Sequence, residues 1–426
     1  MARNTGAGRN ELMLQLENTM TRKTEPFEPR NKQLVKMFSC GPSIYRRPHV
    51  GNYRTFIWED VLQRYLEYLG YNVERALNFT DVEDKSIEEA QKLGKSVEEI
   101  TGEVAAHFIK EAKLLGIGLP EVIPRSSTSV EQAVYLIQKL LEKGYAYWHE
   151  GSVFFDPLKF SGFGKLFRLD MSRWPKNKVR FKKDTYPGQR WNLGDFILWH
   201  GYRDGDGVYW DTKIGRGRPA WNIQDPAMIS ATLGYSLDIF CGGIDNMCRH
   251  HDYNIALMES VSGEELARYW LHGEHVLVKG RKMSKSLDNE VYPADLVSQG
   301  FSWKHIRFYL LHKPYREKIN LTPKSLQQVS EKLDAFRSMV TAIVERTEKG
   351  MSGEEESAGE LTRELALRFE QGMNNDLNTW AAFEGMFETV SKLHRLKKDD
   401  RLAPHDSAEV EQQLRRIDQV LQVIWA

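Results

Sequence analysis

Two short segments far apart in the chain carry residues suited to phosphate chemistry, Pro48-His49-Val50-Gly51-Asn52 and Lys282-Met283-Ser284-Lys285-Ser286. The first follows an apolar, strand-like stretch, Val35-Lys36-Met37-Phe38, and runs into Thr55 to Leu66, where apolar residues recur at helical spacing. His49 and Asn52 therefore fall at a strand-to-helix junction. There, free backbone N–H groups and the positive end of the helix dipole attract phosphate, and Gly51 lets the backbone approach a ligand closely. The second segment sits in a loop from Gly280 to Asn289. Lys282 and Lys285, with the hydroxyls of Ser284 and Ser286, can close over a triphosphate and neutralise charge on departing pyrophosphate. Either segment alone is weak, since a histidine at a helix start is often only a cap and a basic loop is often only a solvated surface. The pair in this order predicts ATP binding.

The elements that must hold these segments follow from the apolar pattern. Residues 1 to 34 are polar; the first ten are expected to be disordered and the rest to add an edge strand to the main body. From Thr80 to Tyr147 the spacing predicts helices, as in Val130 to Lys143 ended by Gly144, and a strand is expected within Gly151 to Asp156. A loop rich in Pro, Lys, Arg and Trp then runs to about Pro219, and Ser236 to Phe240 reads as a strand. From about Ser302 onward the pattern is helical, interrupted by a polar connector over Lys349 to Glu360.

At 426 residues the chain can form two or three cored domains, and 59 Lys plus Arg against 59 Asp plus Glu gives no global charge argument for nucleic acid. The local excess of Lys and Arg from Arg173 to Arg190 reads equally as a solvated loop or an RNA contact. Three cysteines cannot make a disulfide framework, and no apolar leader follows Met1, so a cytoplasmic protein is expected. No stretch reaches the roughly 20 apolar residues of a membrane span.

The two segments resemble the HIGH and KMSKS signatures of class I aminoacyl-tRNA synthetases, and their surroundings are similar to the cysteinyl-tRNA synthetase family. The likeness includes Met37 to Tyr45, Leu77 to Lys85, Gly215 to Trp221, Gly242 to Asp245, His250-His251 and Tyr269 to Gly273, and spans roughly residues 12 to 426. It implies an α/β fold. A Rossmann-like (HUP-type) parallel-sheet catalytic domain would occupy 35–80 and 221–300, with a connective-peptide insertion over 81–220 and an N-terminal extension over 1–34. A helical linker and C-terminal helical bundle would follow over 301–426. The ATP site would lie at the topological switch point of the sheet. By resemblance, His49 and Asn52 hold phosphate oxygens, Lys282 and Lys285 meet the β and γ phosphates, and Gly41, Gly51, Gly242, Gly243, Asp245, Ser284 and Ser286 line the nucleotide site. Mg²⁺ would accompany the triphosphate. Cys40, Ser43, Thr80, Trp221, Asp225, His250 and Asn254 would form the amino-acid pocket.

That pocket departs from the family. The family selects cysteine through a Zn²⁺ held by two Cys, one His and one Glu. Cys40 and His250 match two of these positions, but Asp225 stands where the family has a thiolate and Asn254 where it has a carboxylate. A degenerate zinc site on Cys40, Asp225 and His250 is what remains, with Cys241 and Cys248 either substitute ligands or small apolar residues. The expected substrate is then an amino acid other than cysteine. A further small domain that reads the anticodon is expected to be missing behind the bundle. The reading that follows is a monomeric ligase that forms an aminoacyl adenylate and passes the acyl group to a small amine or other non-tRNA acceptor. The alternatives are a cysteine ligase that charges tRNA(Cys), and a non-catalytic binding protein that keeps the synthetase shape.

Overall fold

The computed structural model describes residues 13–170, 172, 194–283, 287–345 and 355–425. The basic run from Arg173 to Arg190, the first ten residues, and Ser284, Lys285 and Ser286 lie outside the described residues.

In chain order, β1 (Gln15–Asn18), β2 (Lys23–Pro26) and β3 (Leu34–Ser39) precede α1 (Val50–Tyr68) and β4 (Asn72–Leu77). The helices α2 (Asp84–Leu93), α3 (Val97–Leu114) and α4 (Val130–Glu142) lead to β5 (Ala146–His149), β6 (Ser152–Phe155), β7 (Phe196–Gly201), β8 (Trp210–Thr212) and β9 (Gly215–Pro219). Next come α5 (Trp221–Thr232), β10 (Leu237–Gly243), α6 (Asp252–Ser262), β11 (Ala267–Gly273), β12 (Val276–Val278) and β13 (Arg281–Lys282). The remainder is α7 (Pro293–Ser298), α8 (Trp303–Leu311), β14 (Ile319–Leu321), α9 (Pro323–Val344), α10 (Glu355–Asn374), α11 (Thr379–Lys398) and α12 (Pro404–Leu421).

The sheet that positions the site is parallel, in the order β11-β10-β3-β4. Its two inner strands are short apolar runs buried along most of their length, as expected when both faces are covered by helices. From β3 the chain crosses through α1 to β4 on one side, whereas β10 and β11 extend the sheet on the other. The order reverses between β3 and β10, so a crevice opens beyond the carboxyl ends of those strands. Phe38 pairs with Phe240 and Ser39 with Cys241, and this register brings Cys40 beside Gly242 and Gly243.

Between β4 and β10 in the chain lies a second sheet, antiparallel in the order β5-β6-β7-β9-β8. It has its own core of Val153, Phe155, Phe196 and Trp199 packed on Leu136, Ile137 and Leu140 of α4. One sequence expectation needs correction. The segment before β3 does not add an edge strand to the main sheet. It folds on itself as the antiparallel ribbon β1-β2 and lies beside β11, where Thr19 N–H donates to the Trp270 carbonyl at 2.8 Å. Beyond Ser302 the described chain is almost entirely helical, as expected, with the short strand β14 paired in parallel with β12.

The α/β body and the C-terminal helices share one hydrophobic core, which runs from Val61 and Leu62 of α1 to Leu414 and Ile417 of α12. Arg307 of α8 is buried at this seam. It donates to Asp60 Oδ2 at 2.7 Å, to the Leu421 carbonyl at 2.7 Å and to the Leu115 carbonyl at 3.0 Å. Asp376, between α10 and α11, accepts from the Glu17 backbone N–H, the Tyr315 hydroxyl and Arg316 Nε, each at 2.9 Å. None of the helices searched among the described residues is long and apolar enough to cross a membrane.

Candidate functional site

A cleft of about 430 Å³ occupies the crevice beyond β3 and β10. It is lined by Cys40, Gly41, Ser43, His49, Gly51, Asn52, Gly243, Asp245 and Lys282 among the residues singled out in the sequence.

His49 is the N-cap of α1, and it forms a reciprocal capping box with Asn52. The Asn52 backbone N–H donates to His49 Nδ1 at 3.3 Å, and the His49 backbone N–H donates to Asn52 Oδ1 at 3.1 Å. Nδ1 is thereby an acceptor, so the ring proton sits on Nε2 and is available to a phosphate oxygen. Burial lowers the His49 pKa below its ordinary value, with the nearby Lys282 charge adding to this against an opposing pull from Glu290. The glycine between them lines the cleft and also accommodates the cap. A Cβ on Gly51 would stand 2.9 Å from His49 Cε1 and 3.0 Å from Nδ1, so Gly51 makes room for the histidine ring. Gly41 is equally constrained, because a Cβ there would meet the Asn78 carbonyl oxygen at 1.7 Å.

Lys282 lies on β13 at the entrance of the signature loop, and its Nζ is 3.0 Å from Asp245 Oδ2. Burial works to raise the Asp245 carboxyl, but the hydrogen bond and charge of Lys282 outweigh it and hold the group below its usual range. The pair is solvent-exposed and is worth little to stability. Its consequence is positional: it holds the lysine across the mouth of the cleft.

The residues expected to read the amino acid gather behind the cleft wall. Asp225, on α5, is buried and surrounded by donors. Asn78 Nδ2 donates to Oδ1 at 2.9 Å, His250 Nε2 is 2.8 Å from Oδ2, and Asn254 Nδ2 and Cys40 Sγ each approach Oδ2 at 3.5 Å. Trp221 stacks on the His250 ring with centroids 4.2 Å apart. Thr80 is buried one layer away; its backbone N–H bonds to the Pro42 carbonyl and its carbonyl accepts from Ile44. Cys40, Asp225, His250 and Asn254 thus do come together. Gly242 underlies the group, where a Cβ would collide with His251 Cε1 at 2.7 Å.

Two members of this cluster were not singled out from the sequence. Asn78 lies in the quoted run Leu77 to Lys85, and His251 directly follows His250. Among the described residues, the metal-type grouping is Cys40, His250 and His251, with one donor atom of each lying within 4.8 Å of the others. Asp225, expected among the ligands, lies beside this grouping, with Oδ2 2.8 Å from His250 Nε2 and 3.5 Å from Cys40 Sγ. His251 Nε2 is 3.2 Å from Cys40 Sγ, its Nδ1 is 2.8 Å from His272 Nε2, and His272 Nδ1 is 2.9 Å from Thr19 Oγ1. Burial, then the charge of Asp225, pushes the Cys40 thiol far above its ordinary pKa, and burial likewise drives His251 down, so both are neutral as they stand. Of the other cysteines, Cys241 is buried within β10 and Cys248 is half-buried; neither belongs to the grouping.

Comparison with known proteins agrees with this geometry. A family model described as the tRNA synthetases class I (C) catalytic domain matches residues 26–331, and a DALR domain model matches residues 368–424. The cysteine–tRNA ligase of Chlamydia muridarum is 36% identical over 421 residues, covering 96% of this chain and 87% of that protein. The cysteine–tRNA ligase of Koribacter versatilis is 34% identical over 414 residues, covering 97% and 82%. The methionyl-tRNA synthetase of Mycobacterium tuberculosis bound by methionyl-adenylate superposes with a TM-score of 0.64 at 14% identity, covering 92% of this chain and 90% of that one, a likeness of fold. Against the expectation of a missing anticodon-reading domain behind the bundle, a DALR domain is present over residues 368–424, and the small-amine acceptor built on that expectation loses its support. With His49, Asn52 and Lys282 at one cleft and both family models matched in order, the chain belongs to the cysteinyl family of class I aminoacyl-tRNA synthetases.

Proposed function

We propose that this ligase activates cysteine as the aminoacyl adenylate and transfers it to tRNA(Cys). The observation that carries the reading is the convergence of His49, Asn52 and Lys282 on one cleft at the switch point, directly above the Cys40 cluster. In adenylate formation the amino-acid carboxylate attacks the α-phosphate in line and pyrophosphate leaves, so the protein's task is positioning and charge stabilisation. His49 Nε2–H and the amino end of α1 meet phosphate oxygens. Lys282 leaves Asp245 to follow the β and γ phosphates, with Lys285 joining it, and Asp245 is released toward the nucleoside. Mg²⁺ arrives with the triphosphate and is held chiefly by phosphate oxygens and water.

The cluster behind the wall suits a soft divalent metal. A thiol, two imidazoles and a neighbouring carboxylate form an acceptable donor set, and two buried atoms there, His250 Nδ1 and Asn254 Oδ1, have no hydrogen-bond partner among the described residues. A zinc ion bound there would supply a position that a thiolate fills and a hydroxyl does not. Asp225 favours a second reading, in which a substrate with a hydrogen-bond-donating side chain is chosen instead of cysteine. Pyrophosphate exchange into ATP across a panel of amino acids, repeated with tRNA(Cys), separates the two. Exchange greatest with cysteine, followed by charging, supports the first reading. A different best substrate establishes the second, and exchange with none removes both.

A further inference from the structure

Cys40, His250 and His251 each place a donor atom within 4.8 Å of the others, and Asp225 and Asn254 lie beside them. We infer that His251 is recruited as a ligand, so that this chain holds its metal through Cys40, His250 and His251, while Asp225 stands outside the coordination sphere and orients His250.

Geometry supports each part. Neighbouring residues in a regular helix point to different sides and do not meet. Here the backbone breaks just before the pair, with Cys248 at φ −82°, ψ 139° and Arg249 at φ 68°, ψ −56°. Arg249 thus takes a conformation rarely adopted by a residue with a side chain, a cost retained where a site needs it. Beyond the break, His251 caps α6, and a donor nitrogen of each histidine reaches the same small volume as Cys40 Sγ. Metal–ligand lengths of about 2.0–2.3 Å require donor atoms separated by roughly 3.3–3.8 Å. The separation between His251 Nε2 and Cys40 Sγ, 3.2 Å, needs only a slight opening.

The surrounding groups act as an outer shell. His251 Nδ1 contacts His272, which in turn contacts Thr19, an arrangement that fixes the ring and directs Nε2 toward the thiol. Asp225 Oδ2 accepts a hydrogen bond from His250 Nε2–H at 2.8 Å, the carboxylate–histidine pairing that accompanies metal-bound imidazole. The lone pair then belongs to His250 Nδ1, which is buried and unpartnered among the described residues. Asn254, by contrast, turns its amide nitrogen toward Asp225 and contributes no charge. Three protein ligands leave a fourth position open, as in zinc sites that bind a substrate.

The inference rests on the proposed function only for the use of that open position, and metal binding is measured apart from activity. The full-length protein is loaded with Zn²⁺ and, separately, with Co²⁺, and metal content and the cobalt absorption spectrum are recorded. Stoichiometric binding is expected, with a thiolate-to-cobalt charge-transfer band that is lost in Cys40→Ser. His251→Gln should weaken binding by about 100-fold and Asp225→Asn by about 10-fold, whereas Asn254→Ala should leave it unchanged. Circular dichroism confirms that each variant is folded; if His251→Gln is not, His251→Asn takes its place. Lys282→Ala should abolish pyrophosphate exchange yet retain the metal, which separates failure of the catalytic reading from failure of the metal site. Failure of the parent protein to bind either metal overturns the inference. So does loss of metal in Asn254→Ala with retention in a folded His251 variant, which restores the family's ligand positions.

Discussion

His49 is a helix cap and, in the proposed function, a phosphate donor, and the two roles are compatible because they use different nitrogens. Its cap fixes Nδ1 as an acceptor, and the depressed pKa keeps the ring neutral below the ordinary histidine value of 6.5. The exchange rate of the parent protein should therefore stay level as pH falls through 6.5 and decline only below it, as His49 takes up a second ring proton and the cap is lost. The sign for stability is the same. A histidine whose folded pKa is depressed stabilises the fold above 6.5, and that contribution falls away as pH drops toward the lower folded value. His49→Asn should reduce exchange by about 10²-fold, the usual effect of removing one aligned donor, and should flatten the acid limb. An acid limb unchanged in the variant would assign it to another group.

At the scale of elements, α1 brings a second titrating group to the sheet. Glu59 is fully buried on this helix, and burial pushes its carboxyl up to about 8 against the opposing charge of Arg75. Its folded pKa is raised, so between the ordinary 4.5 and about 8 the unfolded chain releases a proton that the folded chain retains, and stability falls as pH rises through that window. Glu59→Gln preserves the shape and removes the titration. It should raise Tm at pH 8 by roughly 2–4 °C while changing it little at pH 5. Equal effects at both pH values would contradict the assignment. The strands around α1 were legible in sequence because β3 and β10 are short apolar runs beside Gly-containing turns. The three residues of β14, Ile319-Asn320-Leu321, carry too little pattern to register as a strand; their pairing with distant β12 defines them. The site was legible by the same rule. Cys40, Asp225, His250 and Asn254 could be placed from their flanking motifs, but His251 could not, because only the broken backbone at Cys248 and Arg249 turns two successive residues toward one point.

For the whole molecule, a buried cation joins the catalytic body to the C-terminal helices. Arg307 links α1, the end of α3 and the end of α12 through Asp60 and two carbonyl oxygens. Arg307→Met should destabilise the protein by about 3–5 kcal/mol, because it strands buried acceptors. Since the seam is also the path by which the DALR region is held to the cleft, the variant should unfold in two calorimetric steps where the parent shows one. A single step at the parental Tm would show that apolar packing alone joins the two parts. The most direct test of the central claim is the charging of a tRNA(Cys) transcript with radiolabelled cysteine, alongside cysteine-dependent exchange of pyrophosphate into ATP. Both reactions should proceed in the parent protein, and both should be lost in Lys282→Ala. Exchange driven by another amino acid in preference to cysteine, or exchange without transfer to tRNA, would contradict it.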